Sequence, residues 1–146
     1  MNKILATLLI AFAPLAANAD DPGLASRASP YSVAETLDRL EAVLKGKGIK
    51  VFARIDHAYE ARSAGLALRP MQLLIFGHPK VGTPMMQAAP TMGLDLPMKA
   101  LAWQDEGGQV RVTWNSPECL IGRHGLDPDQ GKPLAAVGGL IDAALK

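Results

Sequence analysis

The sequence predicts a two-layer α+β fold: an antiparallel sheet with helices packed on one face. Three observations carry the prediction. Val33, Leu37, Leu40 and Leu44 recur at helical spacing. From Ile49 to Asp56 the apolar period drops to two, as in a strand with one covered face. Ala100 to Trp103 and Val110 to Trp114 then flank Asp105-Glu106-Gly107-Gly108, whose glycines suit the positive φ of a hairpin loop. A helix, a strand, short helical excursions, a further strand, a hairpin and a closing helix make two layers around one core.

The chain opens with the parts of an export signal. Lys3 gives a positive start, Ile4 to Leu15 is apolar, and Ala17-Asn18-Ala19 offers the small residues that a signal peptidase reads. Residues 1–19 are therefore expected to be cut away after Ala19, leaving a periplasmic or secreted protein. The stretch Ile4 to Ala17 is shorter than the roughly 20 apolar residues of a membrane-spanning helix. No later stretch runs apolar long enough, so no span is expected after cleavage and the mature protein is expected to be soluble.

Residues 20–30 form a lead-in, mobile over Asp20-Asp21-Pro22-Gly23, with a short first strand expected at Leu24 to Ala28. Residues 31–146 are expected to form a single domain, of a size that can bury a real core. Ser32-Val33-Ala34-Glu35 has capping-box spacing, starting a helix that ends near Gly46 and Gly48. In the strand that follows, Ile49, Val51, Ala53 and Ile55 share one face, and Lys50, Phe52, Arg54 and Asp56 the other. Leu73 to Phe76 is apolar at every position, which predicts a strand covered on both sides.

His57 to Leu68 is rich in alanine and predicts a short helix. Thr83-Pro84 pairs an N-cap with a proline at the first helical position, which predicts a turn or two of helix through Ala88. Leu134, Val137, Leu140, Ile141 and Leu145 give Leu134 to Lys146 an apolar helical stripe. Inside that stripe Gly138 and Gly139 each cost about 1 kcal/mol, and the pair predicts a close approach to another backbone.

Charge excludes one class of partner. Fifteen basic residues against fourteen acidic ones leave a net charge of +1, and no basic cluster interleaves with aromatics, so nucleic acid is not an expected partner. Cys119 is the only cysteine and cannot close a loop within its own chain. Burial is its default role, beside reaction, metal ligation and a dimer link.

Several blocks of the chain also agree in order and spacing with a known family. Glu35-Thr36 with Arg39-Leu40, Val51 to His57, Leu68-Arg69-Pro70, Leu74-Ile75-Phe76-Gly77, Pro79-Lys80, Gly82-Thr83-Pro84, Asp95-Leu96-Pro97 and His124-Gly125-Leu126 together resemble the bacterial domain of unknown function 302 family. The resemblance covers nearly all the mature chain. It implies a TATA-binding-protein-like fold (strand, helix, four strands, helix) and a homodimer, but supplies no established activity. Two positions depart from the family pattern: Met98 stands where many members have a cysteine after the Leu-Pro pair, and His78 stands where asparagine is usual.

Candidate site residues fall into two groups. The Gly77 to Pro84 loop leads into a helix start, where Lys80 and free amides suit an anionic group, although structural capping explains the same pattern. His57 ends a strand, where an imidazole serves as a contact or a proton carrier. These residues predict a pocket walled by the sheet and the Lys80 to Gln87 segment, with His57, Lys80, Thr83 and Met86 as ligand contacts. Cys119, His124 and Met98 supply soft donors suited to a metal or haem iron.

The favoured reading is a binding or sensing module for a small ligand, metal or haem. Signatures of catalysis are missing: no nucleophile elbow, zinc-protease motif, paired cysteines or dinucleotide glycines. The enzyme alternative rests on His57 as general base with Cys119 or His124 nearby. A third alternative is a structural partner that docks its open sheet face on a larger periplasmic complex.

Overall fold

The structure, a computed structural model, describes Asp21 and residues 23–146; the expected signal segment, 1–19, lies outside the described residues. Five strands, β1 (Leu24–Ser29), β2 (Lys50–Asp56), β3 (Met71–Gly77), β4 (Met98–Gln104) and β5 (Val110–Asn115), form one antiparallel sheet in the order β1-β5-β4-β3-β2. The described part of the lead-in is a turn rather than a loose end. The Asp21 carboxylate accepts from the Gly23 amide at 2.8 Å, and its carbonyl from the Leu24 amide at 3.0 Å.

Helix α1 (Val33–Gly46) starts where Ser32 accepts the Glu35 amide at 3.2 Å. Its stripe of Val33, Leu37, Leu40 and Leu44 is buried on the sheet. Beneath it β4 contributes Ala100 and Ala102, both fully buried, and these small side chains let the helix approach the strand. Val110, Val112 and Trp114 of β5, and Leu74 and Phe76 of β3, complete this face.

The C-terminal segment lies beside α1 but is not one continuous helix. It forms a four-residue α5 (Pro128–Gly131), a 3-10 turn (Lys132–Ala135) and then α6 (Ala136–Ala144), which is shorter than the stripe predicts. Two ties hold it: Arg39 donates to the Ala144 carbonyl at 2.8 Å, and Arg27 pairs with Asp142 at 3.0 Å. The paired glycines do not admit a neighbouring backbone. A Cβ on Gly138 would meet the Trp114 ring at 3.8 Å, and one on Gly139 would meet open space.

Strand β2 departs from strict alternation. Val51 pairs with Phe76 and Ala53 with Ile75, so Phe52 is an extra, bulged residue. The bulge reverses the parity beyond it. Ala53 and Ile55 therefore share the open face, and Arg54 turns toward α1, bonding Asp38 at 2.6 Å and the Ala34 carbonyl at 2.9 Å, with Gln72 of β3 at 2.7 Å. Strand β3 is likewise covered on one side only: Leu74 and Phe76 are buried, while Leu73 and Ile75 are half-buried on the open face.

The β4–β5 hairpin forms as expected, with Gly108 at φ +84° and Asp105 accepting the Gly107 and Gln109 amides at 3.0 and 2.9 Å. Two short helices also stand where the sequence predicts them, with altered bounds. Helix α2 (His57–Ser63) is capped by Asp56, whose Oδ1 accepts the Tyr59 amide at 2.8 Å.

Helix α3 (Pro79–Ala88) begins five residues before the expected Thr83-Pro84 start, because Pro79 is its first residue and His78 is the cap. Helix α4 (Pro117–His124) and a 3-10 turn (Pro90–Leu94) had no counterpart among the predicted elements.

Candidate functional site

The registers sort the candidate residues by end of the sheet. Asp56 pairs with Gln72 at one end of the β2–β3 ladder, and Lys50 pairs with Gly77 at the other. His57 follows Asp56, whereas α3, the start of β4 and α4 all belong to the Gly77 end. Five residue steps of β3, from Gln72 to Gly77, at about 3.4 Å each separate the two ends by roughly 17 Å. His57 therefore shares no site with Lys80, Cys119 or His124, and hydrogen-bond reach between them is out of the question.

A cavity of about 470 Å³ lies at the Gly77 end, on the helix-covered face of the sheet. Its floor is Phe76 and Met98, with Phe52 contributed by the bulge. One wall is α3 through Val81, Gly82, Thr83 and Met86; the other is the C-terminal segment through Leu134, Val137 and Leu140. Thr83, Met86 and Met98, from the two predicted groups, do meet here. Lys80 does not: it is exposed and borders a separate, smaller hollow of about 200 Å³ with Pro84, Met85 and Gln130. The open sheet face takes no part in the cavity.

Local chemistry at the start of α3 explains why this end does not present an anion cradle. The His78 carbonyl accepts the Val81 and Gly82 amides at 2.9 and 3.0 Å, its Nδ1 accepts the Lys80 amide at 3.2 Å, and Pro79 has no amide hydrogen. The first turn is satisfied from within. His78, which also lines the cavity, is thus the residue whose part the sequence pattern understates. The available signal was the Gly-His-Pro order, with a polar side chain directly before a proline at the first helical position.

The expected soft-metal set is not assembled. Met98 borders the cavity, but His124 sits elsewhere with both ring nitrogens engaged, Nε2 with Asp95 at 2.7 Å and Nδ1 with Thr91 at 2.9 Å. Cys119 is half-buried, with its sulfur close to Gly23. Among the described residues no group of three or more His, Cys, Asp or Glu side chains gathers as a metal site.

The Thr91–His124–Asp95 chain has the connectivity of a proton relay, yet neither hollow includes Thr91, and it ties the Pro90–Leu94 turn to α4. Burial alone would raise the Asp95 carboxyl. Hydrogen bonds from His124 and Arg123, with their charges, outweigh it and hold the group below its usual 3.8. Asp56 is lowered as well, chiefly by the Tyr59 amide, with Gln72 and Arg62 adding to the effect against a smaller desolvation.

A single antiparallel sheet, helices on one face and a ligand-sized apolar cavity under the helices define a small α+β domain of the pocket-bearing kind. Residues 25–146 match the family described as Domain of unknown function DUF302, and the chain belongs to that family.

A solved structure described as an uncharacterized conserved protein DUF302 from Bacillus stearothermophilus superposes with a TM-score of 0.72 at 23% identity, covering 86% of this chain and 97% of that one. At that identity the likeness concerns the fold. Over 113 residues the chain is 49% identical to part of "Fluoride-specific ion channel FluC 1" of Brucella suis biovar 1, covering 77% of this chain and 44% of that protein. It is equally similar to part of "Fluoride-specific ion channel FluC 2" of Brucella melitensis biotype 1, covering 42% of that protein. The chain thus spans under half the length of these curated relatives. No helix among the described residues is long and apolar enough to cross a membrane.

Proposed function

We propose that this protein is an exported binding module, not an enzyme, which holds a small apolar molecule between α3, α6 and the Gly77 end of the sheet. The observation that carries this reading is the cavity itself. Its volume of about 470 Å³ falls within the range of small-molecule sites, and its lining is hydrocarbon except for His78 and Thr83. The hollow is partly open to solvent, so a guest can enter it and displace water from a lining that offers water few polar partners.

Met86 projects from α3 and can adapt to the shape of a guest, as thioethers do. The test is ligand release from protein isolated from its native compartment: native mass spectrometry of the wild type should detect a bound organic molecule that Met86→Trp lacks. Identical spectra carrying no adduct, together with no stabilisation by any apolar compound, would remove the reading.

A second reading is favoured by the 49% identity to part of proteins named fluoride-specific ion channels. In it this domain works beside a membrane channel of that kind. Fluoride itself is a poor guest for the cavity, since no lysine or arginine lines it and the α3 amides are already bonded. A strain lacking the gene should then be hypersensitive to fluoride. Unchanged growth over a fluoride series argues for the small-molecule role alone.

A further inference from the structure

Resting on the binding role just proposed, we infer the chemical class of the guest: an uncharged hydrocarbon or aromatic body carrying one hydrogen-bond acceptor, such as a ketone or ester carbonyl. Two features on the cavity wall lead to it. The first is a fixed tautomer. The Lys80 amide donates to His78 Nδ1, so that nitrogen holds a lone pair and the ring proton resides on Nε2. No hydrogen bond among the described residues engages that Nε2–H, and His78 is one of the residues that line the cavity.

The second feature is Thr83, an exposed residue at the rim of the cavity, whose hydroxyl likewise has no partner among the described residues. Both groups offer a proton to a guest. His78 in this tautomer has no lone pair to spare for a metal, because Nδ1 is taken and Nε2 is protonated. The methionine sulfurs of Met86 and Met98 therefore lack the nitrogen donor that would make a soft-metal site with them.

Charge selects further. No aspartate, glutamate, lysine or arginine lines the cavity, so a buried carboxylate or ammonium would be desolvated without a counter-ion. Lys50 stands over the Phe52 ring at 4.7 Å but is not part of the lining. A neutral carbonyl meets the two donors without that penalty.

The experiment compares three probes that share one aromatic ring system by isothermal titration: naphthalene, 1-acetonaphthone and 1-naphthoate, the last two equal in heavy-atom count. Acetonaphthone should bind roughly tenfold more tightly than naphthalene, the worth of one good hydrogen bond, and naphthoate should bind most weakly. His78→Asp keeps a carboxylate to cap α3 while removing the Nε2–H, and Thr83→Val removes the hydroxyl at constant shape. In the double variant naphthalene binding should persist and the ketone's advantage should vanish.

Naphthoate binding as tightly as the ketone, no ketone advantage in the wild type, or an advantage that survives both substitutions overturns the inference while leaving the cavity's role intact. Failure of all three probes, or naphthalene binding that Met86→Trp does not reduce, overturns the binding role itself.

Discussion

His78 has two tasks, and they are chemically linked. By accepting the Lys80 amide it caps α3, and by that same bond it keeps its remaining proton on Nε2 at a residue that lines the cavity. His78→Ala is therefore expected to cost about 1 kcal/mol through the lost cap, whereas His78→Asp restores the cap; chemical denaturation of the two variants measures the difference.

Asp95 sets a pH dependence of a different kind. Its folded pKa lies below the usual 3.8, so its contribution is complete above that value and is lost as pH falls through the lowered one. Stability should drop between about pH 5 and pH 2 more steeply in the wild type than in Asp95→Asn, as acid titrations of the unfolding midpoint would record. Equal slopes would mean that the bonds from His124 and Arg123 are not maintained in solution.

Thr83, Met86 and Met98 come together because α3 and the start of β4 both stand at the Gly77 end, although the sequence pattern placed Met98 in a separate metal group with Cys119 and His124. His57 and Lys80 were misjudged for different reasons: His57 lies a strand's length away, and Lys80 is exposed on a helix that begins earlier than its most obvious cap.

At the scale of elements, the bulge in β2 shows most clearly what a period-two pattern conceals. Read as strict alternation, Lys50, Phe52, Arg54 and Asp56 share a face. The extra residue instead sends Phe52 to the cavity and turns Arg54 onto α1. No residue type announces this, because the bulged position is an aromatic rather than a glycine.

The register makes a sharp expectation. Val51 and Ala53 already oppose the consecutive residues Phe76 and Ile75, so deleting Phe52 should leave a regular strand with the Arg54 contacts intact. Stability should change by no more than about 2 kcal/mol, while affinity for an apolar probe falls with the lost wall. Loss of the fold on deletion would contradict the assigned pairing.

Close packing between elements gives a second expectation. Gly131, buried at the end of α5, leaves no room for a Cβ against Ile121 of α4, so Gly131→Ala should destabilise by about 1–3 kcal/mol, readable from its melting midpoint. Helix α1 was legible to within a residue or two because its leucine stripe and Ser32 cap agree. Helix α4 and the Pro90–Leu94 turn were not, since short helices of mixed polarity leave no periodic signature.

For the whole molecule, one sheet and one helical layer produce an enclosed core at its middle and a cavity at one end. Over most of the sheet α1 and α6 cover the buried face; at the Gly77 end α3 and the Lys132–Ala135 turn stand away from it, and the space between is the cavity. The α+β class and the hairpin were legible because local pattern dictates both. The cavity was legible only in its sheet and α3 walls; the wall from Leu134, Val137 and Leu140 and the Phe52 contribution were not, because each is an ordinary apolar side chain in its own distant segment.

The most direct measurement is methyl-resolved NMR of the folded protein titrated with naphthalene. Methyl signals of Val81, Met86, Met98 and Leu140 should shift together and saturate at one affinity, while those of Leu73 and Leu101 on the open sheet face stay in place. Shifts confined to the open face, or none among the four cavity methyls at millimolar probe, would contradict the central claim that this end of the sheet is built to receive an apolar guest.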